Sequence, residues 1–91
     1  MENVMYYVYV LKSKSYTSKL YFGYAKDLQS RFTRHNNKGT KYTGKYSPWL
    51  LIYYEAYRSE KDARQREWRL KHDGRAWAQL KRRIYSSLNE D

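Results

Sequence analysis

Two runs of β-branched and aromatic residues, MYYVYVLK (Met5 to Lys12) and LYFGYA (Leu20 to Ala25), flank the short polar segment SKSYTSK. Residues of this kind suit the pleated, half-buried surface of a sheet. A gap this short predicts an antiparallel hairpin. That hairpin constrains the rest of the chain, which must cover its apolar side. Gly23 interrupts the second strand and predicts a bulge or a close backbone approach. Asp27 is placed to cap a helix running to about Asn36. NNKGTKYTGKYS then reads as a loop carrying Lys38, Lys41 and Lys45, and PWLLIYYEAY (Pro48 to Tyr57) as the strongest strand. Ser59 opens a second helix to about Lys71, with Asp62 as the capping-box acid, and HDGR breaks it at Gly74. Ala76, Leu80, Ile84 and Leu88 recur every four residues, which predicts a last amphipathic helix over about 75–88. The expected fold is α+β: a small three-stranded antiparallel sheet flanked by helices, in the order ββαβαα. Ninety-one residues fit one domain, with its core over about 4–71.

Charge bears on the partner. Nineteen Lys and Arg stand against nine Asp and Glu, a formal net charge of +10. Such an excess on a small chain points to a polyanion, most often nucleic acid; a solubility surface or an RNA-coated housekeeping protein is the blander reading. Cysteine is absent, which removes disulfides and thiolate metal sites. No apolar run reaches the roughly 18 residues needed to cross a membrane. The opening MENVMYYVYV lacks the basic segment and cleavage site of a signal peptide. A soluble, cytoplasmic protein is the expectation. Twelve Tyr supply apolar area with a polar tip, so some are expected to line a wet cleft.

Three sets of residues stand out. By the 3.6-residue period Ala63, Glu67 and Leu70 share one helical face, which puts the Glu67 carboxylate on the side expected to meet the sheet. An inward carboxylate is costly unless paired or holding a metal; an Arg partner and a slight rotation toward water are the alternatives. Arg31 and His35 lie at i and i+4 on one stripe. They suit a phosphate clamp and a proton shuttle, or simply a solvated basic face. Tyr9 and Tyr21 belong to adjacent strands and can lie side by side. Packing is the ordinary use of such a pair; a phenol with a pKa near 10 becomes a base only if nearby cations lower it.

Together these residues resemble the GIY-YIG nuclease superfamily. Tyr7-Val8-Tyr9, eleven intervening residues and Tyr21-Phe22-Gly23 are similar to its paired signature, and Arg31 and His35 follow at the matching distance. Asn36 and Gly39-Thr40-Lys41-Tyr42-Thr43 are similar to the short, single-domain bacterial branch. Ala63 to Lys71 resembles the helix carrying the family's essential glutamate. The N-terminal nuclease domain of the excision-repair nuclease is a similar case. Two departures are visible: Tyr7 stands where the name-giving motif has Gly, and Phe22 where it has a smaller aliphatic residue. Asn89, near the end, is not assigned the role of the family's late Asn.

The resemblance implies a metal-dependent endonuclease that hydrolyses DNA phosphodiester bonds, in repair or recombination. It implies one divalent ion, Mg²⁺ or Mn²⁺, held chiefly by Glu67. Tyr9 would be the general base with Tyr21 assisting, Arg31 would neutralise the scissile phosphate, and His35 would bond it or relay a proton. Lys41, Tyr42 and Lys71 would contact substrate. With no appended domain, specificity would be weak or come from a protein partner. Two rivals remain: a basic binding module of the same fold that does not cut, using Lys81-Arg82-Arg83 for phosphate contacts, and a small structural or ribosome-associated protein.

Overall fold

A computed structural model of the chain describes residues 4–37 and 41–90. The expected Lys38, Gly39 and Thr40 of the loop motif lie outside the described residues. The elements run β1 (Tyr6–Ser13), β2 (Leu20–Ala25), α1 (Leu28–Asn37), α2 (Lys41–Lys45), β3 (Trp49–Tyr57), α3 (Glu60–His72), α4 (Gly74–Arg83) and α5 (Tyr85–Asn89). The sheet is antiparallel with order β2-β1-β3, an α+β arrangement as the strand patterns predict.

Alternation along β1 divides the protein into two layers, because successive side chains of a strand point to opposite faces. Val8 and Val10 pack with Ala63 and Leu70 of α3, Ala76 and Leu80 of α4, and Ile84. Tyr9 and Leu11 face the other way, against Ala25 and Trp49, with Leu28 and Phe32 of α1 packed on them. Each Val or Leu taken fully from water on these faces contributes about 1.5–3 kcal/mol.

Caps set the helix starts. Asp27 accepts from the Ser30 N–H at 3.1 Å, and Ser59 accepts from the Asp62 N–H at 3.4 Å, satisfying donors that lack intrahelical partners. Asp73, not Gly74, divides α3 from α4. Its extended backbone ends one helix and its carboxylate accepts from the Arg75 N–H at 3.0 Å, opening the next.

Two local expectations are corrected, and the structure decides between the two readings of Gly23. Lys41–Lys45 is a short helix rather than loop; the Trp49 indole N–H donates to the Thr43 carbonyl at 2.8 Å, a tertiary anchor that overrides the weak helix propensity around Gly44. The last helix is two helices, parted at Ile84. Ile84 and Leu88 are both buried, so the four-residue spacing continues across the break and conceals it. Gly23 makes no bulge, since the β1–β2 register runs unbroken past it; the irregularity falls between Val10 and Leu11, where β1 meets β3.

Candidate active site

The other reading of Gly23 is the correct one. Gly23 faces Tyr9 across the β1–β2 pair, and the Tyr9 ring lies over it. A Cβ at this position would sit 2.3 Å from Tyr9 Cζ and 2.4 Å from the hydroxyl oxygen. Only glycine leaves room for the ring. The Tyr9 hydroxyl, fully buried, meets His35 Nε2 at 2.8 Å. His35 is 3% exposed, and its ring packs 4.7 Å from that of Tyr21. Tyr21 in turn lies 6.3 Å from Tyr9, so the two strand tyrosines and the helix histidine form one cluster.

Asn36 fixes the end of α1 that carries His35. Its side-chain oxygen accepts from the Trp49 N–H at 2.6 Å, and its amide donates to the Trp49 carbonyl at 3.2 Å. Both backbone groups of Trp49 are met by one side chain, which locks α1 to the start of β3. His35 Nδ1 is different: it is buried without a hydrogen-bond partner. Most buried polar atoms are paired, so an orphaned imidazole nitrogen beside a buried phenol marks a cluster with bonding capacity left over.

Electrostatics set the resting protonation. Burial, with the nearby Arg31 and Arg34 charges, holds His35 below its ordinary value, so the imidazole is neutral at pH 7. Burial also pushes the Tyr9 phenol well up, helped by Tyr21 and Glu67; the Arg31 guanidinium pulls the other way and does not win. The cations around Tyr9 therefore leave it protonated at rest. Arg31 itself is exposed, on the wall of a groove of about 430 Å³ that also takes in Lys26, Arg34 and Arg64.

Glu67 shares the α3 face of the buried Ala63 and Leu70, yet its side chain is 21% exposed and accepts from Lys71 Nζ at 2.9 Å. Its partner is a lysine one turn on, not an arginine. Glu67 is nonetheless close enough to raise the Tyr9 phenol. Tyr42 reaches the cluster from α2: its ring lies 6.3 Å from Tyr21 and 6.1 Å from Trp49, and its hydroxyl donates to the Leu20 carbonyl at 3.1 Å. Tyr42 thus braces Tyr21, and Lys41 beside it is exposed. Asn89 stays apart, its amide donating to the Tyr85 carbonyl within α5.

An acid more enclosed than Glu67 is one that the helical pattern does not pick out. Glu55 of β3 accepts two hydrogen bonds from Arg66 Nε, at 3.0 and 3.2 Å, and one from its terminal nitrogen at 3.1 Å. It also accepts from the Tyr53 and Tyr57 hydroxyls. Burial pushes its carboxyl up, but these donors outweigh that and hold it below its ordinary value. Both phenols are pushed up to about 12. The signal was present in IYYEAY, where Tyr53, Glu55 and Tyr57 share one strand face by the two-residue period.

Among the described residues no group of three or more His, Asp or Glu side chains could cage a metal. The donor set at Glu67 is one half-open carboxylate. Mg²⁺ is commonly bound by one or two carboxylates, completing its shell with water and substrate phosphate. Glu67 fits an ion held in that way, once Lys71 gives up its contact.

The hairpin brings Tyr9 and Tyr21 beside His35 of α1, with Arg31 on the same helix and Glu67 on α3. Residues 5–86 match the GIY-YIG catalytic domain, and the chain belongs to that family, a nuclease superfamily. It is 40% identical to a UPF0213 protein of Bacillus pumilus over 86 residues, covering 93% of this chain and 82% of that one. A UPF0213 protein of Lacticaseibacillus paracasei is 37% identical over 76 residues, covering 82% and 83%. Among solved structures, the solution NMR structure of a UPF0213 protein from Bacillus halodurans superimposes with a TM-score of 0.56 at 31% identity, over 94% of this chain and 95% of that one.

Proposed function

We propose that the chain is a metal-dependent endonuclease that hydrolyses DNA phosphodiester bonds in the cytoplasm, in repair or recombination. The observation that carries the reading is the buried 2.8 Å bond between the Tyr9 hydroxyl and His35 Nε2, beside an imidazole kept neutral. Tyr9 gives its proton to His35 Nε2 as it takes one from the attacking water. The water oxygen bonds to phosphorus, the P–O bond to the leaving strand breaks, and that oxygen gains a proton from solvent. Tyr9, having taken the proton of the water, is again a phenol, and the lowered basicity of His35 lets its Nε2 proton pass readily to solvent. Tyr21 packs the imidazole in line, and Arg31 neutralises the scissile phosphate through a bidentate fork. Lys41 and Tyr42 contact the DNA backbone, and Lys71, released from Glu67, joins them. Glu67 would hold a divalent ion, Mg²⁺ or Mn²⁺, which when bound would supply positive charge to the phosphoryl and leaving oxygens.

The test is incubation with end-labelled duplex, single-stranded, flap and four-way-junction DNA, with Mg²⁺, Mn²⁺ or chelator, beside Glu67→Gln. Metal-dependent products that disappear in Glu67→Gln are the expected result. A second reading, a binding module that does not cut, is favoured by one observation: Lys71 occupies Glu67. It predicts salt-sensitive binding indifferent to Mg²⁺, with no products from either protein, and that outcome overturns the endonuclease.

A further inference from the structure

A second cavity adjoins the arginine groove. It is an open hollow of about 560 Å³ whose walls include Tyr7, Leu28, Phe32, Leu51 and Tyr54. Lys26 and Asp27 belong to both cavity and groove. Tyr54 faces Tyr9 across the β1–β3 pair, and Tyr7 lies two residues before Tyr9 on the same strand face. The Tyr7 and Tyr54 rings meet edge to face at 5.9 Å. The aromatic wall is therefore continuous with the tyrosine of the candidate active site. Tyr54 is 53% exposed, a large ring left open beside a hollow.

Charge complementarity selects the occupant. The groove offers Arg31, Arg34, Arg64 and Lys26 to phosphates. The cavity offers flat apolar walls and one acid, Asp27, whose two oxygens already accept from the Ser30 N–H at 3.1 Å and hydroxyl at 2.9 Å. A ligand that is anionic along one side and flat and aromatic on the other matches both. A nucleic-acid strand has that character where a base is free of its partner, whereas a paired base stays stacked inside the duplex. Tyr7, which stands where the name-giving motif has Gly, is part of that wall.

We propose that this cavity receives the base of an unpaired nucleotide beside the phosphate held at Arg31, so that DNA unpaired at the cut site is selected over continuous duplex. The fate of that phosphate rests on the endonuclease reading; the binding of the base does not.

Binding is measured in chelator, where metal-dependent cleavage cannot intervene, with a short duplex and the same duplex carrying one bulged 2-aminopurine. The bulged DNA is expected to bind more tightly and its fluorescence to be quenched as the base stacks. Tyr54→Ala should erode that preference by about 5- to 150-fold, the worth of one base stacked on an aromatic ring; Tyr54→Phe should keep it, and Tyr85→Ala, a remote exposed ring, should leave it intact. Equal affinity for the two DNAs, or equal weakening of both by Tyr54→Ala, overturns the proposal. If Tyr54→Ala does not fold, an abasic bulge asks the same question of the unaltered protein: loss of the preference supports the cavity, and its persistence overturns it. Cleavage with Mg²⁺ is scored separately. Base-dependent binding without products overturns hydrolysis and leaves the cavity standing; equal cutting of bulged and continuous duplex overturns the cavity and leaves hydrolysis standing.

Discussion

The two faces of the sheet each bury a polar cluster, and they treat it differently. On the α3 face Glu55 is surrounded by Arg66, Tyr53 and Tyr57, and its oxygens are fully engaged. On the α1 face Tyr9 and His35 share one hydrogen bond, and His35 Nδ1 has none. The satisfied cluster has the form expected of a structural brace, because each charge has its partner and nothing remains for a ligand. The unsatisfied one holds its groups in place with capacity to spare, which suits chemistry better than stability. The difference separates the two clusters: Arg66 of α3 pins the sheet through Glu55.

Substitutions can break or sharpen this contrast. Tyr9→Phe should slow cleavage by about 10²–10⁴-fold, the usual worth of a general base, while leaving His35 Nε2 unpartnered at a modest stability loss of about 1–2 kcal/mol. Cleavage rate and DNA affinity, measured together, check it; a Tyr9→Phe protein that cuts at the parent rate removes the chemistry from the α1 face. Gly23→Ala drives a methyl into the Tyr9 ring, and overpacking of this kind costs about 1–3 kcal/mol. Its cleavage should fall with its denaturant midpoint, because the displaced ring is the proposed base. Glu55→Gln should lose about 2 kcal/mol, below the loss at a fully buried pair because Arg66 keeps some water contact. Its cleavage per folded molecule should be unchanged. Loss of cleavage at full stability would reverse the roles assigned to the two faces.

The smallest effect is one of pH. His35 is held below its ordinary value in the folded protein, whereas in the unfolded chain it titrates near 6.5. The unfolded state therefore binds more protons between the two values, and stability rises with pH there. The stabilisation is full above about 6.5 and is lost as pH falls toward the folded value. Thermal midpoints taken from neutral to mildly acidic pH should fall, and His35→Gln should flatten that slope.

The hairpin, the third strand and the capped helices were legible because each rests on local chemistry: Tyr and Val for pleats, Asp27 and Ser59 for caps. The candidate site was read through the resemblance, in which Tyr9, Tyr21, Arg31, His35 and Glu67 follow a similar order and spacing, and the structure brings Tyr9, Tyr21 and His35 into one cluster. What escaped depends on contacts distant in sequence. The α2 helix is anchored by Trp49, and the break at Ile84 leaves the buried face in phase. Asn36, read as part of a motif, is a clamp on β3. The resting state of Tyr9 was not legible, because the burial that outweighs the arginine reaching it is a product of tertiary packing.

The central place of β1 has a consequence for synthesis on the ribosome. Tyr9 is translated early, yet the strand that bears it has a partner on each side, and one of them, β3, emerges some forty residues later. Pairing across so long a stretch of chain is slow to close. A nascent chain halted before β3 carries the phenol and the histidine but lacks both Trp49, which Asn36 grips, and the Glu67 helix. The residues of the candidate site are thus assembled late, only after enough of the chain exists to hold them in register.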